Sequence, residues 1–244
     1  YSRTRAYYFT MKHSALTRHH VRGGIYLKDI VYGANDGIIT TFAIVAGVAG
    51  AGMENTAVIL LGLANLLADG FSMAASNYLG SKSERDYVLR ERVTEEKELR
   101  EEPEVERAEM FGFLRRKGYT KKDTETLLPL LSKNKEFWLD VMIQEELGLA
   151  PPAGNGDPSH AGAATFFSFV LAGAVPLAPY FFVSNGDIFT IAALFTAAIL
   201  FTVGAVRSLL TGQYWYFAGF EMLFVGGVAA IIAYGVGYGA SLLL

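Results

Sequence analysis

The chain contains no cysteine, which excludes a disulfide framework, thiolate zinc sites and a cysteine nucleophile. Charge is scarce for 244 residues, at 18% against 52% hydrophobic, and mean hydropathy is positive. Soluble domains of this size carry more charge. None of the four histidines falls in an E-x-x-H or H-E-x-x-H pattern, so a ferritin-like di-iron centre and a zinc protease both lack their residues. There is no P-loop and no G-x-S-x-G, which removes nucleotide-driven pumping and serine hydrolysis. With no catalytic constellation, no enzyme is expected. A net charge of -3 of mixed sign gives no reason to expect a nucleic-acid partner. The first 30 residues hold six Lys or Arg and no apolar core, so no cleavable signal peptide is expected there.

The charge that is present is partitioned. Residues 82–146 hold 14 Lys/Arg and 17 Asp/Glu, whereas residues 161–244 hold only Asp187, Arg207 and Glu221. Water is implied around the first block and lipid around the second. Crossing a hydrocarbon core of ~30 Å takes roughly 20 apolar residues in a helix, and five segments qualify, at about 31–52, 56–80, 162–184, 188–210 and 214–243. The expected fold class is therefore an all-α integral membrane protein with five transmembrane helices. In the last segment Gly226, Gly227, Gly235, Gly237 and Gly239 are expected to let helix backbones approach closely. Pro176 and Pro179 should kink the third segment. Lys and Arg accumulate on the cytosolic side of short loops; the basic N-terminus, the charged block and Arg207 all agree on a cytosolic N-terminus.

Asn55 suits an N-cap, and no proline follows until Pro103. The second helix should thus run from 56 to about 100, roughly 68 Å at ~1.5 Å per residue, leaving the membrane and projecting into the cytosol. Pro103 suits the first turn of a helix reaching about 117. "KKDTETLLPLLSK" reads as a short helix or turn, 134–148 as a further helix, and "PPAGNGDP" as a linker. The expected organisation is a basic cytosolic segment over 1–30, two spans over 31–81, a Glu-rich cytosolic helical domain over 82–150, a linker over 151–160 and three spans over 161–244.

Two carboxylates, Asp36 and Asp69, fall inside apolar segments. A charge at mid-membrane costs several kcal/mol, and such groups face bundle interiors or ion paths. Asn65 and Met73 lie one turn either side of Asp69 on the same helix face. Carboxylate oxygen with thioether sulfur biases a site toward softer divalent metals such as ferrous iron, whereas oxygen alone suits Mg, Ca and Mn. An Asp that merely hydrogen-bonds an opposing backbone is the plain alternative. In the charged block Glu91, Glu95, Glu98, Glu102, Glu106 and Glu109 recur at spacings of 3 and 4. Like charges one turn apart repel unless neutralised. Arg90, Arg92, Lys97, Arg100 and Arg107 could neutralise them on a solvated face, or a metal could. Met142 and Glu146 repeat the Glu/Met pairing one turn apart, with Glu145 a further candidate beside them.

The segments "DIVYGANDGIITTFAIVAGVAG", "GLANLLADGFSMAASNYLGSKSE", "NKEFWLDVMIQEELGL" and "GAVPLAPY" together resemble the vacuolar iron transporter family, from about residue 28 to the C-terminus. That resemblance implies a homodimer of five-helix protomers in the lipid bilayer, with the ion path at the dimer interface. It also implies a cytosolic helical metal-binding domain inserted between helices 2 and 3. The cargo would be ferrous iron, often also manganese, moved out of the cytosol in exchange for protons, with no permanently bound cofactor. By motif, Asp36 and Met73 fall on the family's transport path, and Glu95, Glu98, Glu106, Glu109, Met142 and Glu146 on its cytosolic metal ligands. Asn65 stands where plant members carry a Glu, and Asp69 where they carry a small residue. The host membrane would be the inner membrane of a prokaryote or the vacuolar membrane of a eukaryote. A membrane-anchored iron buffer or sensor is the rival reading, against which the intramembrane carboxylates argue.

Overall fold

The computed structural model describes residues 24–149, 156–183 and 186–243. Most of the expected basic segment 1–30 and half of the expected linker 151–160 lie outside the described residues. Among the described residues helices joined by short turns make up the structure, with no strand. It separates into two compact units, one made of the residues up to Tyr78 together with those from Pro158 on, the other of Leu79–Asp157.

Among the described residues five helices are long and apolar enough to cross a membrane. The first unit contains α1 (Leu27–Gly50), the first part of α2 (Asn55–Glu101), α6 (Pro158–Gly173), α8 (Ile188–Thr211) and α9 (Trp215–Leu243). Short α3 (Pro103–Arg116), α4 (Lys121–Leu131) and α5 (Lys135–Glu146) belong to the second unit, and α7 (Ala178–Phe182) to the first. The first span begins at Leu27 rather than 31, because Leu27 and Ile30 extend the apolar pattern past the flanking Lys28 and Asp29.

In the first unit α1 is the hub, packed on α6, α8 and α9. Its small residues set the distance. A Cβ at Gly173 of α6 would meet the Gly37 carbonyl oxygen at 2.6 Å, and one at Gly37 would strike the Phe169 carbonyl, so the two backbones touch. Phe42, Val45, Val58, Phe169 and Leu177 fill the space between helices. Outward-facing side chains are large and apolar, among them Leu171, Phe182, Phe224 and Ile231, as an exterior in lipid requires.

The third span is interrupted as its prolines demand. It passes from α6 through a 3-10 turn at Val175–Leu177 into α7, since Pro176 and Pro179 lack the N–H that would continue the ladder. The glycines of α9 divide. Gly226 abuts the Leu200 side chain and Gly237 the Gly47 backbone, whereas Gly227, Gly235 and Gly239 face open space, so the expectation of close packing for all five is met within the protomer by only two.

In the second unit, α2 continues without a break to Glu101, and Pro103 opens α3 at its first turn. Thr120 caps α4 in a capping box with Asp123, so "KKDTETLLPLLSK" is helix rather than turn. Asn134 caps α5 by accepting from the Phe137 N–H at 3.1 Å. Met110, Phe113, Trp138 and Met142 form the apolar core. Arg92 of α2 clamps Glu136 and Asp140 of α5.

Candidate functional site

Within the second unit one carboxylate oxygen from each of Glu95, Glu98 and Glu106 lies within 4.8 Å of the others. Oxygens about 2.1 Å from a divalent ion stand roughly 3 to 4 Å apart, so a small inward movement closes these three on a metal. Glu95 and Glu106 are each only 4% exposed, and an oxygen of each is buried without a hydrogen-bond partner. Leaving such an oxygen bare costs a full desolvation penalty, which an ion would relieve.

Burial, aided by the charges of Glu146, Glu106, Glu98 and Glu109, pushes the Glu95 carboxyl up to about 7. Burial likewise raises Glu106 to about 7, with Glu109, Glu98 and Glu146 adding to it and the neighbouring Trp138 indole opposing. Glu146 is raised too, by partial burial and then by Glu109 and Glu98. Five carboxylates from α2, α3 and α5 therefore share one field.

No Lys or Arg among the described residues forms an ion pair with any of those five. Of the basic residues expected to neutralise the stripe, four have other partners: Arg92 holds Glu136 and Asp140, Lys97 holds Glu101, Arg100 holds Glu96 and Arg107 holds Glu104, while Arg90 forms no ion pair among the described residues. Of the other candidates, Glu145 is paired with Lys117 at 2.8 Å. Glu91 and Glu102 are not among the charges that act on Glu95 or Glu106. Met142 is fully buried in the apolar core beside Trp138, a position that packing alone would explain.

In the first unit Asp36 of α1 and Asp69 and Met73 of α2 line one cavity of about 530 Å³. The two carboxylates are near enough to interact electrostatically. Asn65 is partly buried and does not line that cavity. Asp29 and Asn77 do line it, and sequence reasoning passed over both. The Asn77 amide donates to Asp29 Oδ1 at 2.9 Å and to Thr165 Oγ1 at 2.7 Å, joining α1, α2 and α6. The signal was available: Asp29 and Asp36 are seven residues apart on one face of α1, and Met73 and Asn77 four apart on α2.

Chemically the cavity offers hard oxygen ligands and one soft sulfur within an apolar bundle, a donor set suited to a divalent transition metal. Comparison with known proteins agrees with a metal-handling role. A model described as the VIT family matches residues 27–238. Vacuolar iron transporter 1 of Arabidopsis thaliana is 33% identical over 222 residues, covering 89% of this chain and 87% of that protein. The vacuolar iron transporter of Toxoplasma gondii is 34% identical over 221 residues, 87% of this chain and 73% of its own. Vacuolar iron transporter 2 of Oryza sativa subsp. japonica is 32% identical over 221 residues, 90% of this chain and 89% of its own. Similarity of that depth, carried across the spans and the Glu-rich helices alike, makes this chain a member of the vacuolar iron transporter (VIT) family.

Proposed function

We propose that this protein exports ferrous iron, and manganese with it, from the cytosol across its membrane in exchange for protons. The observation that carries the reading is the single cavity lined by Asp36, Asp69 and Met73 among membrane-crossing helices. An anchor has no use for two carboxylates there. In this reading the second unit is cytosolic and Glu95, Glu98, Glu106, Glu109 and Glu146 gather the ion, with Met142 as a soft ligand. Asp36 and Met73, with Asp69 beside them, carry it through the membrane. A carboxylate that exchanges a proton for a metal links the two fluxes, and alternate opening of the site to the two sides converts that linkage into exchange. The working unit is a homodimer with the N-terminus in the cytosol, and Asn65 and Asp69 reflect a carboxylate moved one turn along the helix.

Metal uptake into proteoliposomes with an imposed pH gradient tests this. Asp36→Asn and Met73→Ala should abolish ferrous iron flux and its coupled proton flux; wild-type values for both would remove the site. The buried carboxylate cluster alone would also serve a membrane-anchored iron buffer. Deleting residues 90–146 separates the two, since a transporter keeps some flux at high metal and a buffer loses all function.

A further inference from the structure

A second cavity, of about 510 Å³, opens in the first unit at the end of the bundle where α1 begins, α8 finishes and α9 starts. Leu27, Val31 and Met222 give it an apolar wall, and Lys28, Asn35 and Arg207 give it a polar one. In two of these lining residues one polar atom, Asn35 Oδ1 and Arg207 Nε, is buried behind the cavity wall with no hydrogen-bond partner. Arg207 does pair with Glu221, through Nη2. That contact satisfies another nitrogen, and Glu221 itself is 61% exposed, so it leaves Nε and the cavity untouched. Lys28 forms no ion pair among the described residues and lines this cavity as well as the one holding Asp36.

The depth of the cavity in the bilayer is marked on the same end of the bundle. Tyr214, Trp215, Tyr216 and Phe217, at the start of α9 just past the end of α8, are all exposed. Such an aromatic group sits at headgroup level, where its rings meet both hydrocarbon and water. A pocket at that level lined by two cations, a side-chain amide and an apolar wall matches one class of occupant, an amphiphile with an anionic phosphate, a polar headgroup and an acyl chain.

We infer that this cavity is a binding site for an anionic phospholipid, whose phosphate lies between Lys28 and Arg207, whose polar headgroup meets Asn35 and whose acyl chain lies along Leu27, Val31 and Met222. A lipid seated there would also engage Lys28, a residue shared with the carboxylate-lined cavity. This goes beyond the transport reading and does not depend on which ion is carried.

Native mass spectrometry of the full chain released from nanodiscs of phosphatidylcholine doped with phosphatidylglycerol tests it. The wild type should retain phosphatidylglycerol in preference to phosphatidylcholine, and Lys28→Gln and Arg207→Gln should each lower that preference about fivefold. Because Arg207→Gln also breaks the pair with Glu221, Glu221→Gln is the control: it removes the same pair, keeps the cation and should retain lipid at least as well as wild type. Equal retention of the two lipids, or unchanged preference in the Lys28→Gln, Arg207→Gln double variant, overturns the proposal. So does a loss in Glu221→Gln as large as that in Arg207→Gln, which would reduce Arg207 to a structural role. Inorganic phosphate in excess should leave the bound lipid in place; displacement would give the site to free phosphate instead.

Discussion

The Asn77 amide nitrogen and Asp29 Oδ1 stand 2.9 Å apart, a side-chain bridge between the first two membrane helices at the rim of the carboxylate-lined cavity. With Thr165 Oγ1 as its second acceptor, Asn77 fixes α2 against both α1 and α6. Hydrogen bonds between helices in lipid contribute about 0.6 to 2 kcal/mol each. Asn77→Leu should therefore lower the thermal midpoint measured in detergent, by an amount consistent with about 1 to 3 kcal/mol, and should slow transport as well. An unchanged midpoint would mean that the bridge holds nothing together.

Proton release should accompany metal binding to the glutamate cluster. Glu95 and Glu106 both stand near 7 in the metal-free protein, so at pH 6 each is mostly protonated and must lose its proton to ligate an ion. Affinity for Mn2+ should rise between pH 6 and 8, with about one to two protons expelled per ion at the lower pH. Calorimetry in buffers of different ionisation enthalpy counts those protons directly. Equal affinity at both pH values would refute the assignment.

The same two groups set the pH dependence of stability, with the opposite sign to a salt-bridged carboxylate. Their folded values lie above the ordinary 4.5, so the folded state binds the protons more tightly than the unfolded one. The stabilising contribution is complete below about 4.5 and is lost as pH rises through about 7. Hydrogen exchange of α3 and α5 amides in the metal-free protein should accelerate over that window, and saturating Mn2+ should suppress the change.

Met142→Leu separates packing from ligation. Leucine conserves the volume, so stability should fall by less than about 1.5 kcal/mol, while the preference of the cluster for ferrous iron over Ca2+ should shrink as the sulfur is lost. Retention of the full preference would make Met142 a core residue and nothing more.

Two glycines of the membrane-crossing helices should behave differently. Gly37→Ala drives a methyl into the Phe169 carbonyl and should cost about 1 to 3 kcal/mol. Gly235→Ala meets nothing within the protomer and should shift stability by no more than about 0.5 kcal/mol in a monomeric detergent preparation. Thermal unfolding of both variants under identical conditions gives the contrast.

The outline of the fold was legible because its causes are local. Apolar runs of sufficient length mark the five spans, and Pro103, Pro176 and Pro179 act on their own backbone wherever they stand. Pairings between elements were not legible. Arg92 sits in the glutamate stripe, yet its partners Glu136 and Asp140 are more than forty positions away on α5, and periodicity carries no information about that distance. Glu145 was a further candidate beside Glu146, and its pairing with Lys117 is visible only in the structure. Gly235 and Gly237 are two residues apart and point to different surroundings, which only the docking of α9 decides. For the membrane cavity, Asp36, Asp69 and Met73 were visible as anomalies in apolar runs, whereas Asp29 and Asn77, at the polar ends of their helices, resembled ordinary flanking residues until the hydrogen bond joined them.

Five carboxylates in the second unit share a field, and no arginine or lysine among the described residues forms an ion pair with any of them. Uncompensated charge of one sign focuses field lines and raises the local concentration of counter-ions. In the transport reading proposed above, such a cluster would shorten the search for a scarce divalent ion before any ligand touches it, and added monovalent salt, by shrinking the reach of that field to about 8 Å at physiological strength, should slow capture while leaving the coordination bonds themselves unaltered.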